Sequence, residues 1–187
     1  MSKDGNDNKS LRKLVVIFPG AGYHQDKPYL YYAINVAKSL NYDIVVANYQ
    51  LNTFDMNDIN SYINHAIENI QFLKEQIKNY DQIISVEKSI GTCIAGKFFD
   101  EFNLKVKRIV LTPLEFTLPY LKEDDIVVCG MCDPLFQEEL IKKIDFIGCK
   151  VYHYESANHS LEIKDDWIKT IDYLKQTVAI FQEVMEG

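Results

Sequence analysis

Nowhere in this sequence do more than two basic residues stand side by side, and acidic residues outnumber basic ones by 27 to 20, a net charge of −7. The concentrated positive surface that a phosphate backbone demands is missing, so nucleic acid is not an expected partner. No stretch approaches the ~20 apolar residues of a membrane span. The opening M-S-K-D-G-N-D-N-K-S carries no apolar run behind a basic flank, so no signal peptide is read and a soluble, cytoplasmic protein is expected. Metal-ligand patterns are equally scarce. Cys129-Gly-Met-Cys132 has C-x-x-C spacing, yet no second C-x-x-C and no H-x-x-x-H completes a zinc set. That pair also ends a predicted strand instead of opening a helix, where a terminus would lower a thiol pKa. With Cys93 and Cys149, these cysteines read as core residues, and neither a metal nor another cofactor is expected. Repeats and low-complexity segments are absent as well.

What is present is a chain of 187 residues, 47% hydrophobic, enough for one core with a sheet covered on both faces. The polar residues 1–10 read as a disordered tail and 11–187 as a single domain. Leu14 to Phe18 is a continuous apolar run, as a strand buried on both faces requires. After Pro19-Gly20-Ala21-Gly22, Asp26 offers an N-cap and Pro28 an early helical position for a helix carrying Tyr29, Tyr32, Ala33, Val36, Ala37 and Leu40. Ile44 to Ala47 is a second strand, and a polar link over 48–57 leads to one long helix with its apolar stripe from Ile59 to Ile77. Gln82 to Val86, Arg108 to Leu111, Ile126 to Cys129 and Lys150 to Tyr154 complete the strands. Helices are predicted from Ile90, from Pro134 and around Trp167 to Phe181. This alternation predicts an α/β fold: about six mostly parallel strands with helices on both faces, a three-layer sandwich.

Parallel strands send all their C-terminal ends to one edge, which is where ligands bind in such sheets. The residues suited to chemistry gather in those loops. Ile83 to Ala95, I-I-S-V-E-K-S-I-G-T-C-I-A, runs from strand to small-residue helix start and leaves Ser89 at the bend. Next come C-G-M-C-D-P, with Asp133, and S-A-N-H-S-L, with His159. The order is nucleophile, acid, base. Each residue also has a plainer reading: Ser89 as a helix cap, Asp133 as an N-cap before Pro134, His159 as a surface loop residue.

Together these pieces resemble a minimal α/β-hydrolase from Leu14 to about Phe181: V-V-I-F-P-G-A-G for the first strand and oxyanion loop, S-V-E-K-S-I-G-T for the nucleophile elbow, V-V-C-G-M-C-D-P for the acid and S-A-N-H-S-L for the histidine. Within that superfamily the chain is similar to the small, nearly lidless dienelactone-hydrolase-like enzymes. The resemblance implies a serine hydrolase of a small carboxylic ester or thioester. Ser89 would be its nucleophile, His159 its general base and acid, and Asp133 the residue orienting the imidazole. The backbone N–H groups of Ile90 and Ala21 would form the oxyanion hole. Gly22, Tyr23 and His24 after the first strand, and Pro113, Leu114 and Phe116 in the segment from Thr112 to Asp125, are candidates for the substrate pocket.

Two departures from the pattern stand out. The elbow motif G-x-S-x-G reads E-K-S-I-G, so Glu87 occupies the first glycine position and must find space beside the next strand or helix. Pro19 replaces the histidine common before the oxyanion glycine. Lys88 reads as a solvated or helix-packed lysine, or as a cation drawing in an acidic substrate; His65 reads as a surface residue and His153 as a structural one. Two other readings remain: a catalytically silent hydrolase fold that binds a partner, and a nucleotide-binding Rossmann domain. For the latter, Gln25 stands where the third fingerprint glycine belongs, and the second strand ends near Asn48, not at an acidic residue for a ribose.

Overall fold

Strands and helices alternate as the apolar pattern requires in a computed structural model that describes residues 11–49, 58–136 and 138–187. The tail expected over 1–10 and most of the link at 48–57 lie outside the described residues. The strands are β1 (Lys13–Phe18), β2 (Asp43–Val46), β3 (Gln82–Lys88), β4 (Lys107–Leu111), β5 (Ile126–Gly130) and β6 (Lys150–Tyr154). They form one sheet in the order β2-β1-β3-β4-β5-β6, every neighbouring pair parallel.

The helices are α1 (Pro28–Ser39), α2 (Ile59–Ile70), α3 (Leu73–Ile77), α4 (Ile90–Glu101), α5 (Glu138–Ile147) and α6 (Trp167–Glu186). α1 and α6 cover one face, where Leu30, Ala33, Phe181 and Val184 pack on Val15, Ile17, Val86 and Val128. α2, α3 and α4 cover the other, closing on Leu14, Val16 and Phe18, and α5 extends that layer over Val127 and Cys129. β1 is thus apolar on both sides. Each such side chain, fully buried, contributes roughly 1.5–3 kcal/mol.

Three local features among the helices differ from the sequence expectation. The long helix divides into α2 and α3 around Gln71 and Phe72, while Ile70, Leu73 and Ile77 stay buried, so the apolar stripe survives the break. α5 starts at Glu138, not Pro134, because Asp133 spends one carboxylate oxygen on the Leu135 N–H at 2.9 Å and turns the chain first. α1 has Pro28 at its first position, but Lys27, not Asp26, stands at the N-cap without a side-chain cap. Of the four cysteines, all free, Cys93 and Cys129 are buried as expected; Cys132 is exposed and Cys149 half-buried. Among the described residues no helix is long and apolar enough to cross a membrane.

The chain leaves β1 through α1 to β2 on one side of it, then crosses back from β2 through α2 and α3 to β3 on the other side. The crevice between the C-terminal ends of β1 and β3 is therefore the point where strand order reverses, the usual ligand position in an open parallel sheet.

Candidate functional site

Ser89 sits in that crevice, between the end of β3 and the first residue of α4. Its backbone is left-handed, φ 54° and ψ −124°, a region costly for a non-glycine residue. The turn is held by the Ser89 N–H donating to the Leu111 carbonyl at 3.0 Å and by the Thr92 N–H donating to the Ser89 carbonyl at 2.9 Å. Although Ser89 stands at the N-cap position, its hydroxyl does not cap the helix. The hydroxyl lies 2.7 Å from His159 Nε2, and His159 Nδ1 lies 2.6 Å from Asp133 Oδ2.

Two glycines allow this convergence. A Cβ on Gly91 would lie 2.3 Å from the Phe18 carbonyl oxygen and 2.6 Å from that of Pro19, so only glycine lets α4 start against the end of β1. At the end of β5, a Cβ on Gly130 would meet the Ala157 and Asn158 carbonyls at 2.4 and 2.6 Å. The histidine loop thus crosses directly over Gly130, stitched to the acid loop by the Cys132 N–H donating to Ala157 O at 2.9 Å. Asn158 shapes that loop: its Oδ1 accepts from the N–H groups of Ser160 and Glu162 at 2.8 and 3.1 Å. Asp133 has no side-chain exposure and His159 about a quarter, so the carboxylate is dry while the imidazole edge and Ser89 are reachable.

After β1, Gly20 and Tyr23 exchange both backbone hydrogen bonds, each 3.1 Å, in a tight turn with Gly22 at φ 67°. Ala21 and Gly22 form its exposed tip. Among the described residues, no hydrogen bond takes up the Ala21 N–H. The Ile90 N–H belongs to the first turn of α4, where no intrahelical acceptor exists. The Pro19 carbonyl accepts from the Tyr49 hydroxyl at 3.3 Å, so the loop has support without the histidine common at that position. Gly20 is buried against the elbow, where a Cβ would lie 3.1 Å from both the Lys88 carbonyl oxygen and Ser89 Cβ.

The other expected lining residues divide. His24 is exposed, Tyr23 half-buried with its hydroxyl accepting from the Tyr29 N–H at 3.3 Å, and Phe116 is 39% exposed. Pro113 is buried, and Leu114 packs into the α2–α4 core. The segment after β4 folds down as a 3-10 helix, Glu115–Tyr120, between α4 and α5. His65 is exposed beside Glu68, and His153 is exposed on β6.

Glu87 and Lys88 are the residues whose surroundings the sequence did not reveal. Glu87 turns its fully buried carboxylate toward the α4 face. There the Arg108 guanidinium grips it through two 2.8 Å bonds and the Ser85 hydroxyl donates at 2.6 Å. Arg108 also donates to Asp125 at 3.1 Å and to the Tyr120 carbonyl at 2.7 Å. Burial pushes the Asp125 carboxyl up to about 6, with Arg108 pulling it back down; burial works against the Arg108 charge, but the Glu87 and Asp125 carboxylates together hold it charged. Lys88 is neither solvated nor open to a substrate: it is 0% exposed. The signal for both was period-two alternation, which puts Ser85 and Glu87 on one face of β3 and Ile84, Val86 and Lys88 on the other.

No family model matches the sequence, and no curated protein matches it. Solved structures do match its shape. Est1E from Butyrivibrio proteoclasticus superposes with a TM-score of 0.69 at 11% identity, over 95% of this chain and 88% of that one. A lidless α/β serine hydrolase from Xanthomonas campestris gives 0.63 at 13%, over 94% and 85%. An α/β serine hydrolase homologue from Coxiella burnetii gives 0.63 at 15%, over 92% and 87%. The chain has the α/β-hydrolase fold.

Proposed function

We propose that this protein is a serine hydrolase that cleaves a small carboxylic ester or thioester through an acyl-enzyme on Ser89. The observation that carries the reading is the unbroken line from Ser89 Oγ through His159 to buried Asp133, with contacts of 2.7 and 2.6 Å. A helix-capping serine would have no use for it. The same line favours a working site over a catalytically silent fold.

In this reading Ser89 Oγ attacks the substrate carbonyl carbon while His159 Nε2 takes its proton. Asp133, acceptor from Nδ1, fixes the tautomer and stabilises the imidazolium that forms. Negative charge grows on the carbonyl oxygen, which the Ile90 and Ala21 N–H groups are placed in sequence to receive; one such donor is typically worth about 10²–10³ in rate. His159 returns its proton to the departing alkoxide or thiolate. Water then enters, gives a proton to His159, attacks the acyl carbon, and the acid leaves as Ser89 regains its hydrogen.

The 3-10 segment after β4 lies against α4 and α5, which suits an accessible groove and a small acyl group. Est1E has been observed with ferulic acid bound, and a small carboxylic acid fits the product class proposed here. Turnover of acyl esters and acyl-thioesters of graded chain length, with Ser89→Ala alongside, tests the reading. Hydrolysis that disappears in the variant is expected; equal hydrolysis by both proteins would refute it.

A further inference from the structure

Lys88 ends β3, directly before Ser89, and no part of it reaches solvent. An ammonium carries three donors and a strongly held hydration shell, so complete burial demands partners. Among the described residues none of its hydrogen-bond partners is a carboxylate. Nζ donates to the Thr112 hydroxyl, donates to the His159 backbone carbonyl at 2.6 Å, and lies 5.0 Å from the centre of the Tyr23 ring. Each contact is on a different loop: the one after β4, the histidine loop, and the oxyanion loop.

Thr112 adds an independent sign. Its φ of 45° is an outlier for a β-branched residue, and in that conformation its hydroxyl meets Lys88 while its N–H donates to Val128 O at 2.7 Å.

We propose that Lys88 is a positioning residue: it pins the His159 backbone and the Tyr23 ring to the end of β3, fixing the imidazole against Ser89 and the oxyanion loop beside it. Its catalytic consequence rests on the serine hydrolase reading, whereas the ordering of His159 stands on the contacts alone. One side chain thereby couples the strand of the nucleophile to the loops that carry the base and one oxyanion donor. The groups facing Lys88 are Asp133 on the acid loop, Glu162 and His159 on the histidine loop, Tyr23 on the oxyanion loop and Thr112 after β4. Burial lowers the amine to about 7, and the Asp133 and Glu162 carboxylates draw it upward. Both charge states retain N–H donors for the two oxygen acceptors. Without Nζ, the His159 carbonyl loses the bond that holds its loop down.

The test compares Lys88→Met, which keeps the aliphatic stem, with Thr112→Gly, which removes the acceptor and relieves the unfavourable φ. Two quantities are measured: kcat and KM on an activated ester, and the low-field proton NMR signal of the His159 Nδ1–H to Asp133 in the resting protein. In Lys88→Met, kcat should fall about 10–100-fold with KM within about twofold, since small misplacements of a catalytic group cost up to ~10². The low-field signal should broaden. Thr112→Gly should show the same changes to a smaller degree, about 3–10-fold in kcat, and decides the matter should Lys88→Met fail to fold. Parent-like kcat and an unchanged sharp signal in the folded variants would overturn the proposal. A parent protein without turnover would sink the hydrolase reading alone, because the NMR comparison still reports whether Lys88 orders His159.

Discussion

Glu87 and Arg108 form a two-pronged ion pair, both bonds 2.8 Å, buried beneath the turn that carries Ser89. The position that usually holds a glycine is thus filled by a carboxylate whose partner comes from the neighbouring strand. Register explains the match: β3 and β4 align Ser85 with Arg108, and Glu87, two residues on, shares their face.

Restoring the glycine should therefore harm the protein. Glu87→Gly leaves Arg108 buried with only Asp125 as a charged partner, and breaking such a pair by removing one member costs about 3–5 kcal/mol. Urea unfolding measures the loss; a variant as stable as the parent would contradict this role of the ion pair.

Gly91→Ala places a methyl group on the Phe18 and Pro19 carbonyls. α4 must then slide away from β1, carrying Ile90 away from the oxyanion loop. The expected result is a lower melting temperature and, in the proposed mechanism, a drop of at least about 10² in the rate of Ser89 acylation, the scale of losing one oxyanion donor. Gly22→Ala serves as a contrast, since a Cβ there meets nothing within 4 Å and bears only the cost of φ 67°.

Asp133→Asn keeps the shape of the acid loop, including the acceptor oxygen for Leu135, while removing the charge that fixes the imidazole tautomer. In the proposed mechanism kcat falls by about 10²–10⁴, with KM little changed. Steady-state kinetics on the best ester of the panel reads this directly, and a loss confined to KM would move Asp133 from catalysis to binding.

Stability should follow the charge of Lys88. Its amine sits near 7 when folded, below the ordinary 10.5 it regains on unfolding. Between those values the unfolded chain binds a proton that the folded chain does not, so stability rises with pH across the window and is flat below about 7. The parent should gain on Lys88→Met from pH 7 to 9 by on the order of 1 kcal/mol per pH unit. Urea titrations at several pH values give the difference, and a constant gap would place the amine outside that range.

Much of this architecture was legible in the sequence because it depends on local signals. Leu14 to Phe18 had to be a two-sided buried strand, and Ser89, Asp133 and His159 follow strands whose ends share one edge. Relationships that depend on register were not legible. Glu87 and Arg108 are far apart in the chain, and their pairing appears only once β3 and β4 are aligned. Lys88 read as a solvated or helix-packed lysine, or as a cation for an acidic substrate, and its place on the Ile84–Val86 face committed it to the interior. The early start assigned to α5 failed because Asp133 uses a carboxylate oxygen to make a turn, a choice the helical pattern of Leu140, Ile141 and Ile144 cannot report.

Covalent capture of the nucleophile tests the central claim most directly. The parent protein, Ser89→Ala and His159→Gln are each treated with a fluorophosphonate, and the modified peptide is mapped by mass spectrometry. A single adduct on Ser89 is predicted, absent in Ser89→Ala and formed at least about 10³-fold more slowly in His159→Gln, since the hydroxyl is a poor nucleophile without its base. No adduct, an adduct on another residue, or equal labelling of the His159 variant would contradict the account.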